Sequence, residues 1–337
     1  MDTKDFGFFM KKNIAVVGCG HWGKNLVRNF SELGSLAALC DSDSENAQKY
    51  ADQYGVKNYS FSEIINDSSI DGVVLAVPAP LHASLAIDAM SAGKHVYVEK
   101  PLAMNKAEAE LMIESAQKNE VHLMVGHLLQ YHPIFVAVRG LVESGEIGYL
   151  QYVYSNRLSF GKVRSEEDVI WSFAPHDISM ILSLLGQEPK SVRTESSSIL
   201  QPDIADSAMI HMEFDSGLKA HIAVSWLHPF KEQKLVVVGQ AGMVVFDDTK
   251  PWAEKLALYR HSVDCSGVLP GLDKSDVEYL EVPQSEPLRN ECQHFMDVAS
   301  GGLMPLTDGI EGLNVLKVLS AASLSQLKNA IVRLDEV

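Results

Sequence analysis

Gly18-Cys19-Gly20-His21-Trp22-Gly23 constrains the fold of this chain more than any other stretch. It follows an apolar, β-branched run over 13–17, which reads as a buried strand. It precedes 24–30, where Leu26, Val27 and Phe30 recur at helical spacing. A strand, glycines spaced Gly-X-Gly-X-X-Gly and a helix form the context in which this pattern means dinucleotide binding. Gly18 permits the tight turn, Gly20 lets the backbone approach a pyrophosphate, and Gly23 lets helix and strand pack closely. The amides of Cys19, His21 and Trp22 lie around the same turn, and the helix dipole favours phosphate charge there. Without that context the pattern describes an ordinary strand-to-helix turn. The context continues: 36–40 reads as the next strand and ends at Asp41, roughly 20 residues on. An acid there accepts both ribose hydroxyls of NAD and repels the 2′-phosphate of NADP. NAD is therefore the favoured cofactor, and Ser42 leaves room for some NADP.

Strand and helix signals alternate through the first third of the chain. A helix capped by Asp43 or Ser44 runs through residue 54, a short strand falls at Tyr59 and a short helix at 62–66. The continuous apolar run 72–77 is expected of a parallel strand buried on both faces. Helix 81–92, strand 95–98, an Asn105-capped helix through 119 and strand 121–125 follow. Six such alternations predict an α/β, doubly wound parallel Rossmann sheet with ligands at the carboxyl ends of its strands. That rule puts Ala76, Pro78 and His82 after one strand, Glu99 and Lys100 after the next, and His127 after the sixth. A cation directly after a buried strand points into the crevice, so Lys100 is a functional candidate. Its competing role is a surface lysine paired with Glu99.

Past Gly126 the pattern changes. Helix 133–142 leads into strand 149–158, and 208–214 with 220–226 alternates at period two around Asp215-Ser216-Gly217, a hairpin signal. A further hairpin joins 235–238 to 244–246, and 286–299 and 310–327 read as closing helices. The expected organisation is an extension over 1–12, a cofactor domain over 13–130, and a second α+β domain over 131–337. That second domain would hold a large, predominantly antiparallel sheet with one face left for the crevice or a second subunit. Pro175 reads as the start of a helix, which would place His176 in the first turn. The dipole there disfavours imidazolium and keeps the ring available as a base. The alternative is a histidine that merely hydrogen-bonds a carbonyl.

Composition narrows the partners. A formal net charge of −16 argues against broad nucleic-acid binding, which needs clustered cations. Arg157, Lys162, Arg164, Lys231 and Lys234 could bind a phosphorylated substrate or form a solvated surface. No run of 18 apolar residues suggests a membrane span, and 1–12 has neither the basic start nor the cleavage site of a signal peptide. Cys19, Cys40, Cys265 and Cys292 lack CxxC spacing, so the expectation is a reduced cytoplasmic protein without a disulfide framework or metal site.

Taken together, these segments resemble the Gfo/Idh/MocA oxidoreductase family from Ile14 to about Leu327. The markers are the glycine turn, Ala92-Gly93-Lys94-His95-Val96-Tyr97-Val98-Glu99-Lys100-Pro101-Leu102-Ala103, and His176 on its helix. The resemblance implies a lysine, Lys100, near the nicotinamide and the reacting hydroxyl, with His176 as acid/base. The cofactor would meet Gly18, Cys19, Gly20, His21, Trp22, Gly23, Asp41, Ser42, Ala76, Pro78, His82, Glu99 and Lys100. The substrate would meet Lys100, His127, Tyr131, Arg157, Ser172, His176 and Asp177. The chain departs from the family where Ser172 replaces a frequent aspartate, where Ser179 replaces another acid, and where 126–132 lacks the usual Asn and Arg. Segments 171–179 and 225–231 look most like the nucleotide-sugar branch. This implies NAD-dependent oxidation of a ring hydroxyl, at C3 of a sugar such as UDP-GlcNAc, by a homo-oligomer (dimer or tetramer). The competing readings are a dehydrogenase of a free sugar, inositol or amino sugar, and a non-catalytic NAD(H)-sensing regulator.

Overall fold

A computed structural model describes residues 12–161 and 163–337. The expected extension, Lys12 apart, and the candidate cation Lys162 lie outside the described residues. The fold divides into two units. The first contains the described residues up to Gly126 together with Leu288–Leu313, and the second contains His127–Pro287 with Asn314–Val337.

The first unit follows the predicted alternation. In chain order it has β1 (Ile14–Val17), α1 (Gly23–Glu32), β2 (Leu36–Cys40), α2 (Ser44–Tyr54), β3 (Lys57–Asn58) and α3 (Phe61–Asn66). These are followed by β4 (Gly72–Leu75), α4 (His82–Ser91), β5 (His95–Glu99), α5 (Lys106–Lys118) and β6 (Leu123–Gly126). The six strands form one parallel sheet in the order β3-β2-β1-β4-β5-β6. The order reverses beside β1 and β4, which are buried throughout, and this opens a crevice at their carboxyl ends. Local chemistry sets the boundaries. The Asp43 carboxylate accepts the amides of Glu45 and Asn46 to start α2, and Gly55, at φ +67°, ends it. Ser60 and Glu63 form a capping box on α3.

The boundary expected at 130/131 missed a return of the chain. Phe295 packs edge-on against Phe30 and Tyr97 at 6.3 and 5.8 Å. Thr307 exchanges hydrogen bonds with Val125, each 2.7 Å. The segment 131–337 is therefore not one domain, because the helix carrying Phe295 completes the core of the first.

In the second unit α6 (Pro133–Glu143) precedes β7 (Leu150–Phe160), α7 (Val169–Leu185), β8 (Ser191–Ser197), β9 (Ser207–Glu213) and β10 (Lys219–Ser225). Then come β11 (Leu227–Gly239), β12 (Met243–Asp247) and β13 (Leu256–Tyr259), the small β14–β15 ribbon (Ser262–Asp264, Gly271–Asp273) and β16 (Glu278–Tyr279). Helix α8 (Pro287–Ala299) belongs to the first unit from Leu288 on, α9 spans Gly309–Lys328, and β17 (Val332–Arg333) closes the chain. Nine strands form one sheet, β16-β13-β12-β11-β7-β10-β9-β8-β17, antiparallel except where β7 and β10 run parallel. Period-two alternation sends Val153, Ile210, Ile222, Val224 and Val237 to one face, where they meet Ile178 and Ile181 of α7 and Val318 and Leu319 of α9. The opposite face carries Tyr152, Tyr154, His211 and His221, with Tyr154 stacked on His221 at 5.2 Å. Among the described residues, no helix is long and apolar enough to cross a membrane.

Candidate active site

The glycine turn fits a dinucleotide. Gly18 sits at φ +94°, and a Cβ there would lie 2.4 Å from the Ala76 carbonyl oxygen. A Cβ on Gly23 would lie 1.9 Å from the Gly18 carbonyl oxygen, so both positions demand glycine. Gly20 differs, since nothing stands within 4 Å of its missing side chain. Its backbone faces open space, which is what close approach of a pyrophosphate requires. No side chain among the described residues caps α1 at Trp22, and since the amides of Lys24 and Asn25 bond back to the Gly20 and Trp22 carbonyls, phosphate oxygens are left to the amides of the turn before them. Asp41 is tied to the same turn. Its Oδ2 accepts the Cys19 amide at 2.6 Å, and its Oδ1 accepts the Asp43 amide at 2.9 Å and the Ser42 hydroxyl at 3.4 Å. Oδ1 thus has both its lone pairs engaged, while Oδ2 keeps a further one for a ribose hydroxyl. Burial, then the Asp41 charge, push the Cys19 thiol up to about 12, so this cysteine is a neutral wall of the site.

Two strand ends continue the crevice. Pro78 leads into a single turn, Ala79–Leu81. His82, expected at the cofactor, instead lies against backbone. Its Nδ1 lies 2.8 Å from the Pro101 carbonyl and its Nε2 lies 3.0 Å from the Val77 carbonyl, and only 1% of the residue is exposed. Burial holds the ring below the usual imidazole range. The neutral ring donates to one of these carbonyls and packs its other nitrogen against the second, so the buried His82 braces two strand-end loops and has no edge left for a cofactor. Lys100 directly follows β5, half-buried, with a cis bond to Pro101. Glu99 is almost fully buried and accepts the Trp22 indole N–H at 2.5 Å. Sequence reasoning named Glu99 and Trp22 but not this bond, and it passed over Tyr97 and Glu291 beside it. A signal existed for Glu291, a charged residue on the buried stripe Leu288, Cys292, Phe295 of α8.

In the second unit, His176 lies on α7. Its N-cap is Asp168, whose carboxylate accepts the amides of Ile170 and Trp171 at 3.0 and 3.1 Å. Pro175 therefore lies inside the helix rather than at its start, and His176 lies two turns in. This overturns the first-turn placement. The dipole effect fades within the first turn, so it gives no reason for a lowered His176 basicity. Tertiary burial of the helix outweighed the local proline signal. Ser172, at 5% exposure, sits one turn before His176 on the same helix face.

Asp177 and Arg157, both expected at substrate, are brought together with each other. Arg157 donates from Nε to Asp177 Oδ2 at 2.6 Å and from Nη2 to Oδ1 at 3.2 Å, and the Ser155 hydroxyl donates to Oδ1 at 2.5 Å. Asp177 is 1% exposed, so the pair fastens α7 to β7. Other candidate cations are also engaged: Arg164 with Glu167 at 2.7 Å, and Lys234 with Glu232 and Asp247 at 3.7 and 3.6 Å. Lys231 is exposed. His127 precedes the turn Leu128–Tyr131 and Tyr131 ends it, and both are buried. Between them Gln130, not anticipated, donates to the Ser179 carbonyl and hydroxyl, both at 2.9 Å.

Comparison with known proteins adds to this geometry. Residues 12–127 match the model described as "Oxidoreductase family, NAD-binding Rossmann fold", and 135–245 match "GFO/IDH/MocA C-terminal domain". UDP-N-acetylglucosamine 3-dehydrogenase of Acidithiobacillus ferrooxidans is 27% identical over 304 residues, 89% of this chain and 93% of that protein. A solved structure of that dehydrogenase superposes with a TM-score of 0.82 at 26% identity, covering 93% of this chain and 97% of the other. Inositol 2-dehydrogenase of Salmonella typhimurium is 28% identical over 310 residues, 88% of each chain.

Proposed function

Because the chain belongs to the Gfo/Idh/MocA family of NAD-binding oxidoreductases, we propose that it oxidises a ring hydroxyl of a nucleotide sugar, at C3 of UDP-GlcNAc or a near relative. The observation that carries this reading is the likeness, over nearly the full length of both chains, to a dehydrogenase of that substrate. Bound NAD supplies the hydride acceptor. Lys100 hydrogen-bonds the reacting oxygen and stabilises its alkoxide-like charge, and His176 takes the hydroxyl proton. The sugar carbon loses a hydride and the oxygen a proton, leaving a ketone. Ser172, His127 and Tyr131 are assigned to sugar hydroxyls. The outward face of the second sheet, with Tyr152, Tyr154, His211 and His221, is assigned to a second copy of the chain, and a concentration-independent monomer by light scattering would remove that assignment.

One observation favours a second reading. Arg157, Arg164 and Lys234 already face carboxylates, which suits an uncharged polyol better than a diphosphate. The inositol dehydrogenase relative is consistent with it. NADH absorbance with a panel of UDP-sugars, free sugars and inositols separates the two. Single-turnover reduction of co-purified NAD guards against masked activity. Turnover of inositol and not of UDP-sugars would overturn the first reading, and no turnover of anything would leave the NAD(H)-sensing role.

A further inference from the structure

Tyr97 and Glu99 sit two apart on β5 and so share one face of the strand. The Glu99 Oε1 accepts two hydrogen bonds, from the Trp22 indole at 2.5 Å and from the Tyr97 hydroxyl at 3.1 Å. Room for this arrangement comes from Gly126, the residue paired with Glu99 across β5 and β6. A Cβ there would stand 2.7 Å from the Tyr97 hydroxyl and 3.0 Å from Glu99 Oε2. Helix α8 brings up Glu291, fully buried, with no donor among the described residues in hydrogen-bond geometry to either oxygen. The Tyr97 hydroxyl lies alongside but gives its proton to Glu99. Burial, then the charge of Glu99, push the Glu291 carboxyl well up. Two carboxylates so buried do not both ionise. Burial raises the Glu99 carboxyl too, against the pull of the Trp22 and Tyr97 donors and the Lys100 charge, and of the two acids Glu99 is the acceptor on which the donors converge.

Trp22 is the last residue before α1, inside the turn whose amides would hold the pyrophosphate. The residue is 40% exposed, so apolar burial alone does not fix it. We propose that Glu99 is a positioning residue for the cofactor turn, its carboxylate latching the Trp22 indole and thereby setting the amides of residues 20–23, with Tyr97 fixing the carboxylate from behind. The latch rests on the NAD-binding character of the first unit and is independent of the substrate assignment.

The test is a double-mutant cycle on NAD affinity in the full chain, measured calorimetrically without sugar. Trp22→Phe keeps a ring and removes the N–H, and Glu99→Gln keeps an acceptor and removes the charge. Each is expected to weaken NAD at least ~10-fold, the loss of one hydrogen bond to a charged group, and the double variant to be no weaker than the worse single. Subtracting Trp22→Phe emission from that of the parent isolates the Trp22 fluorescence. The corresponding difference in the Glu99→Gln background should be shifted, with circular dichroism unchanged. Tyr97→Phe, which removes only the hydroxyl, should weaken NAD less than either. Additive losses in the cycle, unchanged NAD affinity in both singles, or an unshifted Trp22 spectrum would each overturn the latch.

Discussion

Replacing Asp177 with alanine should destabilise the second unit by about 3–5 kcal/mol, the cost of stripping one partner from a buried ion pair. The magnitude follows from what the carboxylate does. It accepts two bonds from Arg157 and one from Ser155 while 1% exposed. The Arg157 side chain is itself only 13% exposed, so water does not readily replace the lost partner. Asp177→Asn keeps the shape and one acceptor oxygen but loses the charge, so about 1.5–3 kcal/mol is expected. Removing both partners, as Arg157→Leu with Asp177→Leu, should return stability to within about 1.5 kcal/mol of the parent, because the uncompensated charge disappears with its counterion. Urea midpoints at constant m value read these differences, and the cycle should show coupling of at least ~1.5 kcal/mol. The result that refutes the reasoning is specific. If Asp177→Ala loses under 1 kcal/mol while KM for the sugar rises sharply, the carboxylate serves substrate and not the α7–β7 joint.

His176→Ala and Lys100→Ala should each lower turnover at least ~10²-fold with NAD affinity little changed, read by steady-state NADH formation and calorimetry. Gly20→Ala should fold normally yet bind NAD weakly, because its side chain would meet only the space reserved for cofactor, whereas Gly23→Ala should fail to fold the turn at all; equal thermal stability of the two variants would contradict this. Lys234→Met should raise KM for a UDP-sugar and leave KM for a free sugar unchanged, and equal effects on both would remove Lys234 from phosphate recognition. Burial, then His122 and Lys12, hold the His95 imidazole down to about 4, while an unfolded one titrates near 6.5. The unfolded state therefore binds more protons between those values, and stability falls as pH drops from about 6.5 to 4; His95→Phe should flatten that part of the urea-midpoint profile.

The cofactor half was legible because its requirements are backbone requirements. A positive φ at Gly18 and contacts under 3 Å at Gly18 and Gly23 admit one residue type, so the residues themselves announce the turn. The segment from Ala92 to Ala103 was legible for two different reasons that sequence cannot separate. Lys94 donates to the carbonyls of Asp67 and Ile70 at 2.7 and 2.8 Å, a buried amine closing a loop, while Lys100 follows the strand as a half-buried cation. His82, opening α4, and Arg157, inside β7, read as ligand contacts because a polar residue looks the same in sequence whether it meets ligand or protein. The return of α8 to the first unit was invisible since an amphipathic stripe does not say which core it fills.

Charge joins these observations. A chain of net charge −16 has an affinity for a dinucleotide diphosphate that its overall field opposes. The fold meets this with dipoles, leaving amides uncapped at α1 and placing no carboxylate at Gly20. A second diphosphate, on a sugar substrate, would find a different situation in the second unit, where Arg157, Arg164 and Lys234 face carboxylates. Those pairs differ in what it takes to open them. Lys234 is about one-third exposed, and its contacts at 3.6 and 3.7 Å are worth about 0–1 kcal/mol, so an incoming phosphate can claim it. Arg157 is held bidentately by a buried acid, and freeing it would leave Asp177 uncompensated at a cost several-fold higher. Phosphate recognition, if the substrate carries a diphosphate, therefore falls to the loosely paired Lys234, while the Arg157–Asp177 pair stays closed and keeps α7, and with it His176, fixed on the sheet.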